Sequence, residues 1–271
     1  MREYVLEESR WPAGMSGPLR DSLRRIIAGL RGTPEILGLA AGGSFITGRM
    51  DGYSDLDLVL AVAPSEWDRT MGRRKEIAAS LGPLLASFTA EHVGEPRLLI
   101  CLFGPPPVHV DLKFMTPEML AKRVEDPAIL WDRSGEMAEA LKRGAAAYPQ
   151  PSLPWIEERF WAWVHYECAK IGRGELFEAL DGLTFLRNVV LGPLALQKAG
   201  AQPTGVRHLE QEAPEFAAKL KDTVARCDAR DMLRALGAVI GLYRGLGGGA
   251  PQASPAEQAV LRYMEEVAAG L

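Results

Sequence analysis

Gly42-Gly43-Ser44, followed ten residues later by Ser54-Asp55-Leu56-Asp57-Leu58-Val59-Leu60, is the stretch on which the fold turns. Alternate residues of a strand share a face, so Asp55 and Asp57 point together while Leu56, Leu58 and Leu60 point into a core. Two aspartates side by side repel each other and are costly to dehydrate without a cation. A pair of this kind is either solvent-facing or a site for a divalent metal. The Gly-Gly-Ser ahead of it reads as a phosphate-binding turn, with Ser44 opening a short helix and free backbone amides aimed at a phosphate. The plain alternative is a tight turn with no ligand.

A second strand completes the arrangement. In Val108-His109-Val110-Asp111-Leu112-Lys113-Phe114 the apolar residues take one face, and His109, Asp111 and Lys113 take the other. If the two strands are neighbours, Asp111 closes a cluster of three carboxylates. Oxygen-only ligands favour magnesium or manganese, and magnesium keeps positions open for water and substrate phosphates. Two such ions can activate an attacking hydroxyl and neutralise a leaving phosphate in an in-line transfer. His109 and Lys113 either support a phosphate or carboxylate, or hold the structure by hydrogen bonds.

Gly-Gly-Ser, a spacer, Asp-x-Asp in an apolar strand and a later apolar-Asp-apolar strand together resemble the signature of the nucleotidyltransferase superfamily that includes DNA polymerase beta. Length and a helical second half are similar to the bacterial nucleotidyltransferases that adenylylate aminoglycosides or lincosamides. The resemblance implies an α/β (α+β) chain, a nucleotidyltransferase-type mixed sheet with flanking helices followed by an all-helical bundle. It implies that Gly42, Gly43 and Ser44 hold a nucleoside triphosphate, ATP or another. Asp55 and Asp57 would bind Mg2+ or Mn2+, and Asp111 would complete the metal shell or act as base.

Composition narrows the partners. With 271 residues the chain has room for one large or two modest domains, and its 47% hydrophobic and 24% charged content is that of an ordinary globular protein. A net charge of -4 offers nucleic acid no general attraction, so no DNA partner is expected, and it suits a small hydroxylated acceptor, a cationic one included. Cys101, Cys168 and Cys227 form neither a zinc spacing nor a disulfide framework, so a reducing cytoplasm is expected. The N-terminus carries Glu3, Glu7 and Glu8 and no apolar run, which argues against a signal peptide. No segment of membrane-spanning length is free of charge or breakers, so no membrane partner is expected. Monomer and homodimer both stay open.

Along the chain, residues 16–31 read as an amphipathic helix with Ser16 as cap and Leu19, Leu23, Ile26, Ile27 and Leu30 as its apolar stripe. Glu35–Ala41 reads as a strand, Gly48–Ser54 as a polar loop and Asp55–Ala63 as the carboxylate-bearing strand. The pattern predicts a helix over Ser65–Phe88, then a hairpin of Leu98–Phe103 with Val108–Met115. Thr116 caps a further helix, and Ile129–Asp132 is a last short strand. The linker Tyr148–Pro154 holds three prolines in six residues and divides a catalytic domain, 1–147, from a helical substrate-binding domain, 148–271. Helices are expected near 155–172, 175–197, 214–226, 228–245 and 255–269, the last two separated by the Gly-rich Gly245–Ala250.

In the first of these helices Trp163, Glu167 and Lys170 share a face. The resemblance makes Lys170 a triphosphate ligand, while the residues alone allow an ordinary surface lysine. Trp161 and Trp163 read as core or packing residues before base-stacking ones. Glu157, Glu158, Glu175, Glu178 and Asp181 are candidates for the acceptor side, expected between the carboxylate strands and the helix beginning near Trp155. Glu91 is a reserve general base, and His92, His165 and His208 have no partners suggesting zinc. The reaction expected is transfer of a nucleoside monophosphate to a small-molecule hydroxyl. Transfer to a protein or RNA end, or nucleotide binding without catalysis, are the alternatives.

Overall fold

The computed structural model describes residues 3–249 and 252–271, so Ala250, at the end of the expected Gly-rich connection, lies outside the described residues. Two compact units divide the chain, Met1–Ala147 and Tyr148–Leu271. The first is built on seven strands: β1 (Tyr4–Val5), β2 (Ile36–Ala41), β3 (Leu56–Val62), β4 (Leu84–Ala90), β5 (Glu95–Phe103), β6 (Val108–Met115) and β7 (Ala128–Asp132). They lie in the order β1-β7-β2-β3-β6-β5-β4, and β3 with β6 is the parallel pair in an otherwise antiparallel sheet. The expected hairpin is present as β5 and β6.

Helices α1 (Gly17–Arg31), α2 (Ser44–Thr47), α3 (Trp67–Gly72), α4 (Arg74–Ser80), α5 (Pro117–Leu120) and α6 (Glu136–Lys142) flank this sheet. The stripe of α1 is the expected one, with Leu19, Leu23, Ile26, Ile27 and Leu30 all buried. It packs with Ile77 and Ala78 of α4 over Leu56, Leu58, Leu60, Val110, Leu112 and Phe114. Ser16 stands at the N-cap of α1, but its side chain makes no capping hydrogen bond. Thr116 does cap α5, accepting from the Met119 amide at 3.4 Å.

The helix expected over Ser65–Phe88 is a correction. A 3-10 turn at Pro64–Glu66, α3 and α4 end by Ser80, and Leu84–Ala90 is β4 at the sheet edge. Gly82-Pro83 stops the helix, and the free rim of β5 offers Leu84–Ala90 a ladder of main-chain partners. The apolar residues there satisfy a helical period and a strand alike, so the sheet decided.

The other face of the sheet is covered unevenly. Leu120 of α5 with Met137 and Ala140 of α6 bury Leu37, Ala40, Ala61 and Met115. Along that face of β6, His109 is exposed, Asp111 and Lys113 are partly buried and Met115 is buried. The starts of β3 and β6 are thus left open while their ends are sealed.

The second unit is helical: α7 (Leu153–Gly172), α8 (Leu176–Leu186), α9 (Gly192–Lys198), α10 (Leu209–Glu212), α11 (Pro214–Leu220), α12 (Ala229–Gly245) and α13 (Pro255–Gly270). A π-turn, Arg187–Leu191, joins α8 to α9, and a 3-10 turn, Lys221–Thr223, stands where the helix expected over 214–226 ends short. Ile156, Phe160, Val164, Cys168 and Ile171 of α7 form the buried seam, with Phe160 stacked on Tyr243 of α12 at 3.7 Å between ring centroids. Trp161 is buried in this core, and Trp163 lies between Trp155 and Phe185. Among the described residues, Leu176–Lys198 is the one helical run long and apolar enough to cross a bilayer, and it contributes Leu183, Leu186, Val190 and Leu191 to the core. The chain is an α+β protein, a mixed sheet with flanking helices followed by an all-helical unit.

Candidate functional site

The sharp passage from β2 to α2 builds the first wall of the site. Gly42 donates its amide to the Asp57 carbonyl at 2.9 Å, which ties the turn to β3. Gly43 follows with φ 55° and ψ -131°, a conformation open to glycine alone. A methyl group at Gly43 would collide with Asp57 Oδ2, and one at Gly42 would collide with Glu125 Oε1. Gly43 is demanded by its backbone conformation, whereas a side chain at Gly42 would require the end of the Glu125 side chain to move aside. Ser44 starts α2 as expected.

The second wall is the parallel pair. Asp57 and Asp111 are direct partners in the β3–β6 register, so their side chains emerge next to each other on the open face. Asp111 Oδ1 is also bonded to His109 Nε2 at 2.9 Å. Asp55 sits just before β3 begins, one residue ahead of the Leu56–Val110 pairing. It lines an open cavity of about 560 Å3 with Tyr53, Pro106, Val108 and His109. The Asp51 carboxylate ties down the approach to this cavity, accepting from the Tyr53 amide at 2.9 Å and the Ser54 hydroxyl at 3.0 Å, and Tyr53 is 99% exposed.

The fold thus brings Gly43, Asp57 and Asp111 together, with Ser44 in the same turn. Among the described residues no group of three or more His, Cys, Asp or Glu side chains is assembled as a metal site. Asp55 stands one residue ahead of the β3–β6 ladder, which begins at Leu56.

The supporting residues have other work. Lys113 Nζ pairs with Glu95 at 2.9 Å, and Arg97 with Lys113 hold the Glu95 carboxyl down at about 2. Glu91 follows the edge strand β4, with β5 standing between that strand and β6. The hydroxyl of Thr89, bonded to Glu91, and Glu91's own backbone amide keep its carboxyl below the usual range. The structure does not bring Glu91 to Asp111. In the second unit Lys170 is bonded to Glu175 at 2.6 Å and Glu178 at 3.1 Å, with its side chain 12% exposed.

One residue escaped the sequence reading. Glu125, in the irregular segment between α5 and β7, accepts a hydrogen bond from the Gly43 amide at 3.0 Å. Nothing in its local sequence, Val124-Glu125-Asp126-Pro127, marks it. The path of the sheet, which returns β7 beside β2, brings it there.

No protein-family model matches the chain, and no curated protein matches it. Among solved structures it is similar to the crystal structure of an aminoglycoside 6-adenyltransferase from Bacillus subtilis, with 14% sequence identity, a TM-score of 0.39, and coverage of 90% of this chain and 96% of that one. The likeness is distant, and the functional reading rests on this chain's own residues.

Proposed function

We propose that the chain is a metal-dependent nucleotidyltransferase. It would move a nucleoside monophosphate, with ATP the first choice of donor, to the hydroxyl of a small acceptor and release pyrophosphate. The observation that supports this most is Asp57 standing beside Asp111 on parallel strands, with Gly43 folded against Asp57 Oδ2. Magnesium is commonly held by one or two carboxylates together with substrate phosphates. An in-register pair of carboxylates on a half-open face fits that pattern, and manganese accepts the same donors.

Asp57 and Asp111 would hold the ion, with Asp55 as the further candidate on the cavity side. When bound, the ion supplies charge neutralisation on phosphoryl oxygens and a more acidic acceptor hydroxyl. Gly42 and Gly43 let a polyphosphate approach the backbone closely, and the Ser44 hydroxyl can donate to it. Asp111 orients the acceptor hydroxyl and takes its proton. Lys170 is the second unit's candidate for the triphosphate, and serving it would mean leaving Glu175 and Glu178. The acceptor we favour is a hydroxylated amine of the aminoglycoside type, in keeping with the acidic net charge.

Pyrophosphate release, screened over nucleoside triphosphates against small hydroxylated amines, tests the reading. Release is expected to need magnesium or manganese and to vanish in D57N. Labelling of a protein or RNA in place of any small acceptor would keep the chemistry and replace the substrate. Absence of both nucleotide binding and turnover would end the proposal.

A further inference from the structure

The Gly42-Gly43 turn already holds an anion from its own chain. Glu125 Oε1 accepts from the Gly43 amide at 3.0 Å, and the same carboxylate lies where a methyl group on Gly42 would stand. Asp57 Oδ2 occupies the space that a Cβ on Gly43 would take. Two successive glycines therefore each meet a carboxylate, one from β3 and one from the segment between α5 and β7. Glu125 is 82 residues from Gly43 in the chain, so the fold as a whole sets this contact.

A carboxylate and a phosphate oxygen ask the same thing of a backbone amide, a single N–H donor, and only one of them can have it. A lone phosphate displacing Glu125 would exchange one charge-assisted hydrogen bond for another. It would also add negative charge beside two carboxylates. A polyphosphate accompanied by a divalent cation meets neither obstacle: it makes several contacts at once, and the displaced carboxylate gains a cation nearby as an alternative partner.

We propose that Glu125 is a specificity-determining residue of this turn. It occupies the Gly43 amide as an internal anion and yields it to a cation-bound polyphosphate, while rejecting metal-free phosphates. The inference rests on the reading of Gly42–Ser44 as the triphosphate site.

Equilibrium dialysis of the full chain with pyrophosphate and with ATP, each in EDTA and in magnesium, tests it on wild type, E125A and E125Q. Wild type is expected to bind ATP with magnesium and to bind both ligands poorly in EDTA. E125A should tighten metal-free pyrophosphate and ATP at least about tenfold, the scale of one charge-assisted hydrogen bond, with a smaller change in magnesium. E125Q can still accept from Gly43 but carries no charge, so it should tighten metal-free binding by an intermediate factor, and it serves alone if E125A fails to fold. Should wild type bind ATP with magnesium while metal-free affinity in the folded variants is unchanged or weaker, Glu125 is a structural brace. The nucleotidyltransferase reading then stands without this inference. If no form binds ATP under either condition, both are overturned together.

Discussion

Asp57 meets three demands at one position. Its backbone carbonyl anchors Gly42, its side chain fills the space that a Cβ on Gly43 would need, and its strand register sets it against Asp111. Replacing it with asparagine keeps the shape and removes the charge. We expect D57N to fold normally by circular dichroism and to lose about a thousandfold in turnover, equivalent to roughly 4 kcal/mol of transition-state stabilisation. Near-normal turnover would remove Asp57 from the chemistry. Gly43 makes the complementary test. An alanine there must hold a glycine-only conformation, costing about 1–3 kcal/mol, and must push Asp57 aside. G43A should therefore lower the melting temperature and weaken magnesium-dependent ATP binding together, measured by thermal melts and titration. Unchanged binding in a folded G43A would move the phosphate site elsewhere.

Between elements, the contact of α7 with α8 has its own acid. Glu167 is 5% exposed, lies against Gly182, and its Oε2 has no hydrogen-bond partner among the described residues. Burial pushes its carboxyl up to about 7, Glu178 adds to the rise and Lys170 opposes it. A carboxyl raised in the folded state holds its proton more tightly there than in the unfolded chain. Its contribution to stability is complete below the ordinary value near 4.5 and is lost as pH climbs through about 7. The helical unit should therefore melt at a lower temperature at pH 8 than at pH 5, and E167Q should flatten that slope; an unaltered slope in E167Q would assign it to another group. Glu167 was legible in the sequence as a residue on the Trp163 face of a helix, but its burial was not, because that depends on Gly182 allowing α8 so near. The same limit explains the rest of the site. Local alternation placed Asp57 and Asp111 on matching faces, and glycine chemistry marked the turn. The edge position of β4 and the arrival of Glu125 are set by strand order, which no local pattern encodes.

At the scale of the whole molecule, the proposed function ties a proton-linked group to one compact unit and a cation-linked pair to the other. The titration of Glu167 belongs to Tyr148–Leu271, while the aspartate pair belongs to Met1–Ala147. Melting curves over a matrix of pH and magnesium should separate into one transition that follows protons and another that follows the cation. A single transition moving equally with both would contradict this division. The paired aspartates then acquire a thermodynamic meaning apart from catalysis. A cation shared by two neighbouring carboxylates stabilises the fold that brings them together. A cation bound only by the folded unit would add about 2.7 kcal/mol at a hundred times its dissociation constant, and none in a D57N variant that cannot hold it. The melting point of the sheet would then report how much free divalent ion surrounds the protein, making the unfilled chain the more perishable form.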